Sequence, residues 1–138
     1  IEVPVNPIAL AISSGATFVA RSFAGDVRHL QKTIVDAVKH RGFSLVDVFQ
    51  PCVSFNPVNT YEWYKQRVYD LENAEHNSGD KMAAFLKSQE WGEKIPIGVF
   101  YKVLSPTYED ELPQIKEMPL VKQQIENADI SKLMEDFV

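Results

Sequence analysis

The sequence predicts an α/β fold built on a parallel βαβ unit, and three stretches predict it. TFVARSF (17–23) is rich in β-branched and aromatic residues, the composition of a strand. Gly25-Asp26 opens a helix whose Val27, Leu30, Ile34 and Val38 recur at the three-and-four spacing of one apolar stripe. FSLVDVFQP (43–51) is a short apolar run of β-favouring residues, and its continuity predicts a strand covered on both faces. A helix between two such strands is a crossover, which sets the strands parallel in one sheet.

Asn6-Pro7 starts a short helix of small residues, because Asn caps free amides and Pro is tolerated in the first turn. It ends near Gly15. Asp26 is the N-cap of the central helix. Lys39, His40 and Arg41 place positive charge at its last turn, where the helix dipole favours it, and Gly42 closes it. Phe18 and Arg21 on the first strand read as packing and surface, respectively. Residues 53–78 read as loop with an aromatic cluster, Tyr61, Trp63, Tyr64 and Tyr69, and Thr60 caps a short helix through residue 67. Gly79-Asp80 opens a helix running to Gly92, and IPIGVFYKV (95–103) is a strand. The remainder carries three prolines and many charges, which predicts an extended arm with short helices, the last near 130–136. No internal repeat or low-complexity tract is present.

Composition bounds the function. The chain has 138 residues, 45% hydrophobic and 24% charged, as in a soluble globular domain. Its net charge of −5 argues against nucleic acid, which calls for a basic stripe. One cysteine cannot form an internal disulfide, which excludes a disulfide-stapled secreted scaffold. No apolar run approaches the ~20 residues of a membrane span, and no leader pattern is visible. These features predict a cytoplasmic protein. The first residue, Ile1 rather than Met, reads as a piece of a longer chain.

Few residues could carry chemistry. Cys52 follows the second strand, at the carboxyl edge where open α/β sheets bind ligands. Three readings of it stand: a buried small hydrophobe, a nucleophilic thiolate, or a ligand to a metal or cluster. As one thiolate in the whole chain, it would need cluster partners from elsewhere. His29 and His40 lie eleven residues apart on the helix and cannot share a metal. His40 reads as a C-terminal charge and His76 as a loop residue. None of Gly15, Gly25, Gly42, Gly79, Gly92 and Gly98 forms a nucleotide-binding motif. Glu109-Asp110-Glu111 reads as a solvated face, and the aromatic cluster as packing.

NPIALAISSGATFVARSFAGDVRHL, VDVFQPCVSFNPVNTYEWYKQRVYDL and IPIGVFYKVLSPTYEDE, in this order, resemble the β subunit of 2-oxoacid:ferredoxin oxidoreductases, a thiamine diphosphate-binding family. The resemblance covers residues 6 to about 112. It implies that the whole β subunit holds thiamine diphosphate with Mg2+ and a 4Fe–4S cluster. With an α (or fused α/γ) partner it would decarboxylate a 2-oxoacid, pyruvate or 2-oxoglutarate, to acyl-CoA and CO2. The electrons would pass to ferredoxin. The family's G-D-G thiamine motif is not in this sequence, so the resemblance is to the carboxyl-terminal half, expected to be inactive by itself. The family's Q-P-C motif, similar to Gln50-Pro51-Cys52, implies Cys52 as the fourth cluster ligand, which places the ligand reading ahead of the other two. Asn56 and Thr60 are expected to order the loop around it. The implied organisation is 1–52 as the second half of the thiamine diphosphate-binding domain, 53–112 as a carboxyl-terminal extension and 113–138 as a charged, partly helical tail. Two other readings are a non-catalytic subunit-interaction module, which requires a buried Cys52, and a small redox protein with an exposed reactive thiol.

Overall fold

A computed structural model describes residues 4–124 and 129–135. The chain forms two compact units, Ile1–Ser105 and Pro106–Val138. The first holds α1 (Pro7–Ser13), β1 (Phe18–Phe23), α2 (Val27–Lys39), β2 (Ser44–Phe49), α3 (Tyr61–Lys65), β3 (Val68–Asp70), α4 (Lys81–Lys87) and β4 (Ile95–Lys102), with a 3-10 turn at Leu71–Asn73. The second holds the short helices α5 (Tyr108–Glu111), α6 (Pro113–Lys116) and α7 (Ser131–Glu135) and a 3-10 turn at Leu120–Lys122. Residue 136, the end of the helix expected near 130–136, lies outside the described residues.

The four strands form one mixed sheet in the order β2-β1-β4-β3. The expected βαβ unit is present: β1 and β2 run parallel, from Phe18 opposite Ser44 to Phe23 opposite Phe49. β4 joins β1 antiparallel, and β3 lies parallel to β4. Pro96 cannot donate to a ladder. It sits in β4 outside the Gly98–Lys102 stretch that pairs with β1, where that donor is not missed.

The strands' two-residue period sorts the layers. Val19 packs with Ile8, Ala11 and Ile12 of α1, Ala84 of α4, Leu71 and Phe100 on one face. Alanines on both helices let their backbones approach the sheet. Phe18 and Ser22 point to the other face and meet His40 and His29 at the two ends of α2. All six residues of β1 are buried, so it is the centre of the unit.

Several expectations are corrected. β2 is an edge strand, half-exposed along its length, and not a strand covered on both faces. α2 starts as expected, with the Asp26 side chain accepting from the His29 amide at 3.0 Å. However, it sets Thr33 against the sheet and turns Val27, Ile34 and Val38 outward, 70%, 46% and 80% exposed. His40 is not a charged group in the last turn. Its Nε2 meets Thr17 Oγ1 at 3.0 Å, its ring packs on Phe18, and burial, then Lys102, lowers its pKa. Gly42 does not cap the helix, which ends at Lys39 with His40 as its C-cap. It holds the following turn at φ +127°, where a Cβ would lie 2.2 Å from Thr17 Oγ1. The helix after Asp80 stops at Lys87, well short of Gly92, where the Ser88 hydroxyl donates to the Phe85 carbonyl at 2.6 Å. The helix after Thr60 ends at Lys65.

Candidate functional site

β2 delivers Cys52 to the carboxyl edge of the sheet, three residues past Phe49. The thiol is free and exposed. That exposure does not match the buried cysteine of the hydrophobe and interaction-module readings, and it matches both the ligand and the exposed-thiol readings. The Cys52 carbonyl accepts from the amides of Phe55 and Asn56 at 3.1 and 2.9 Å, so the cysteine heads a tight turn. Asn56 orders the next residues: its Oδ1 accepts from the amides of Val58 and Asn59, both at 3.0 Å. This is the local side-chain to backbone bonding that makes Asn a turn residue. Thr60 then caps α3 through the Trp63 amide at 3.3 Å. The backbone from Cys52 to α3 is thus held by a chain of short-range bonds.

A layer of rings anchors this loop. Phe49, at the end of β2, stacks on Tyr64 at 4.9 Å and meets Trp91 edge-on at 5.7 Å. Phe23 packs on Tyr61 and Tyr64, and Trp63 on Tyr64 and Trp91. The aromatic cluster is packing, as its composition predicted. Burial raises the Tyr64 pKa, so its hydroxyl stays neutral at pH 7.

Beneath the rings lies a group expected on the surface. Arg21 is 4% exposed. Its Nε donates to Asp47 Oδ2 at 2.7 Å, and its guanidinium lies over Phe49 at 4.7 Å and near Phe100 at 5.5 Å. The two strands each carry one charge at matched register, Arg21 buried and Asp47 half-buried. One Arg in TFVARSF and one Asp in FSLVDVFQP was the available signal.

His29 also gains partners that its position in the sequence did not reveal. Its Nδ1 is 2.8 Å from the hydroxyl of Ser22, and its Nε2 is 3.9 Å from Asp70 Oδ1. It lines an open cleft of about 820 Å³ with Phe23, Arg28, Lys32 and Lys65. Ser22 is wholly buried, which leaves it no access to a substrate. His76 bonds the Phe100 carbonyl through Nε2 at 2.7 Å and fastens the 3-10 turn's loop to β4.

The described residues contain no group of three or more His, Cys, Asp or Glu side chains that could hold a metal. The chain therefore offers an iron–sulfur cluster one exposed thiol, which fits a single ligand whose partners come from elsewhere. For thiamine diphosphate the sequence lacks G-D-G, and the described residues hold no group of three or more His, Cys, Asp or Glu side chains to ligate its magnesium. Among the described residues no helix is long and apolar enough to cross a membrane.

The family described as the C-terminal part of the pyruvate ferredoxin oxidoreductase beta subunit matches residues 52–117. A 2-oxoacid:ferredoxin oxidoreductase subunit beta of Sulfolobus sp is 49% identical over 119 residues, 78% of this chain and 39% of that protein. The Saccharolobus solfataricus subunit beta is 47% identical over 121 residues, 80% of this chain and 40% of that protein. A solved 2-oxoglutarate:ferredoxin oxidoreductase from Magnetococcus marinus, with 2-oxoglutarate, coenzyme A and succinyl-CoA bound, superimposes with a TM-score of 0.76 at 31% identity. That match covers 97% of this chain and 45% of the solved one. The chain thus spans about 40% of the length of these curated relatives. With sequence and fold in agreement, the chain belongs to the 2-oxoacid:ferredoxin oxidoreductase β subunits, of which it matches the carboxyl-terminal part.

Proposed function

We propose that this chain supplies the electron-carrying edge of a 2-oxoacid:ferredoxin oxidoreductase, with Cys52 as one ligand of a 4Fe–4S cluster. The reaction converts a 2-oxoacid, coenzyme A and two oxidised ferredoxins to acyl-CoA, CO2, a proton and two reduced ferredoxins. The substrate is pyruvate or 2-oxoglutarate. The observation that carries the reading is the exposed Cys52 thiol, placed by Gln50-Pro51 directly after a parallel strand, at the edge where such sheets bind ligands.

A bound cluster would carry single electrons; the chain's own part is to fix one ligand. The Asn56 bonds and the ring layer under Phe49 keep the thiol's backbone in place. Thiamine diphosphate and its Mg2+ fall to residues outside this sequence. The chain by itself is accordingly expected to be inactive, and to work with an α (or fused α/γ) subunit and ferredoxin in the cytoplasm. In this reading residues 1–52 complete the cofactor domain, 53–112 extend the subunit and 113–138 form its tail.

The test compares wild type and Cys52→Ala in the anaerobically purified holoenzyme, by iron content, the reduced-state EPR signal and ferredoxin reduction. Loss of all three is the expected result. Undiminished iron, signal and turnover in the variant would remove Cys52 from the electron path.

A further inference from the structure

We propose that Phe55, with Val53 beside it, is the apolar cover of the Cys52 corner of the cluster, and that by keeping water off the sulfur it sets the potential at which electrons leave. The proposal rests on the reading of Cys52 as a ligand. It adds to that ligand a tuning residue that touches no iron.

Three observations carry it. The first is where the ring is attached. The Cys52 carbonyl accepts from the Phe55 amide at 3.1 Å. A bond from residue i to residue i+3 closes a turn whose ends lie within about 7 Å. Phe55 is therefore held within a side chain's reach of whatever the cysteine binds. The second is what the ring lacks. Phe55 is 91% exposed and Val53 57%. The ring contacts that join Phe49, Tyr64, Trp63 and Trp91 do not include Phe55. The third is the stiffness of the loop. The Asn56 amide donates to the Cys52 carbonyl at 2.9 Å, and Asn56 Nδ2 donates to Asn59 Oδ1 at 2.9 Å. Pro57 fixes one more backbone angle. The loop is held in the form that displays the ring.

A single exposed apolar residue is ordinary. A tight turn, however, favours Gly, Asn, Asp, Ser or Pro. This loop has Ser54, Asn56, Pro57 and Asn59 in that role, and it sets Val53 and Phe55 among them, directly after the thiol. Apolar groups at a thiolate ligand have a defined electrostatic effect. The reduced cluster carries one more negative charge than the oxidised one. Water at the sulfur stabilises the more charged state more, which raises the potential. An apolar neighbour excludes that water and holds the potential low, where the electron passes readily to an acceptor.

The experiment uses the anaerobically purified holoenzyme. It reads iron content, the midpoint of the cluster's EPR signal in a redox titration, and coupling of that signal to deuterium after exchange into heavy water. Phe55→Ser is expected to keep its iron, gain deuterium coupling and move the midpoint to more positive potential. The expected shift is at least about threefold in the ratio of reduced to oxidised cluster, or about 28 mV at 59 mV per tenfold for one electron. Val53→Thr keeps the side chain's shape, adds a hydroxyl and moves the midpoint the same way. Phe55→Leu retains an apolar cover and the wild-type midpoint. Three results would overturn the proposal. One is Phe55→Ser with full iron and an unmoved midpoint. Another is Phe55→Leu shifted as far as Phe55→Ser, which would make the ring's shape the cause. The third is Phe55→Ser losing its iron or its partner subunit while Val53→Thr keeps the wild-type midpoint, which would make Phe55 a packing residue against protein. Cys52→Ala separates this proposal from the one it rests on. A cluster that survives that change defeats the ligand assignment and the cover with it. A cluster lost there, with midpoints unmoved in the Phe55 and Val53 variants, defeats the cover alone.

Discussion

Removing the Asp47 carboxylate should cost this chain more than its modest exposure suggests. Asp47→Ala leaves the Arg21 guanidinium between Phe49 and Phe100 without its 2.7 Å acceptor. Breaking a buried ion pair by deleting one partner costs about 3–5 kcal/mol, because the remaining charge is stranded. The Asp47 side chain is 21% exposed against 5% for Arg21, so water softens the loss on the Asp side. The cation–π contacts keep about 1–2 kcal/mol of stabilisation on the Arg side. The expected cost therefore falls at or just below the bottom of that range, about 2–3 kcal/mol. Urea unfolding followed by circular dichroism reads it as a lower midpoint with an unchanged slope. Arg21→Met should be milder, since it removes the charge and keeps the packing. The double variant Arg21→Met/Asp47→Leu should recover most of the loss, as buried pairs replaced by apolar residues often do. If Asp47→Ala costs under about 0.5 kcal/mol, or the double variant is as damaged as Arg21→Met and Asp47→Leu combined, the pair is not an energetic unit.

Two other outcomes are expected. Gly98 holds φ +106°, and a Cβ there would sit 2.9 Å from Asp70 Oδ1. Gly98→Ala should cost about 1–3 kcal/mol, read in the same titration, and a neutral result would show that β4 can flatten locally. The His40 pKa is lowered from 6.5 by burial and then by Lys102, with Thr17 and Phe18 packed on the ring. A depressed value means folding favours the neutral ring. Its contribution is whole above the unfolded pKa and is lost as pH falls below about 6.5 toward the folded value. Urea midpoints at pH 7.5 and 5.5 should therefore fall less in His40→Gln than in wild type, and equal falls would show that the ring is not pH-coupled to folding.

Much of the fold was legible in the sequence for stated reasons. Asp26 and the spacing of Val27, Leu30, Ile34 and Val38 mark α2, and flanking turns mark β1 and β2. The same spacing could not show which way α2 faces, because periodicity reports that a face is apolar and not what covers it. β3 escaped because Val68–Asp70 is three residues long and exists only by pairing with β4. Cys52 was legible as a residue just past a strand. The partners of His29 were not, since Ser22 and Asp70 meet it only through the sheet.

The mixed pairing of β1 also sets an order of assembly. Its parallel neighbour, β2, is made within thirty residues, but its antiparallel neighbour ends at Lys102, about fifty residues after β2. At about 5–20 residues per second on the ribosome, the gap is roughly 3–10 s. Throughout it, the strand destined to be the most buried has one side unzipped. A nascent chain stalled in that interval would carry one backbone edge of β1 unpaired, and it is there that a chaperone would find it.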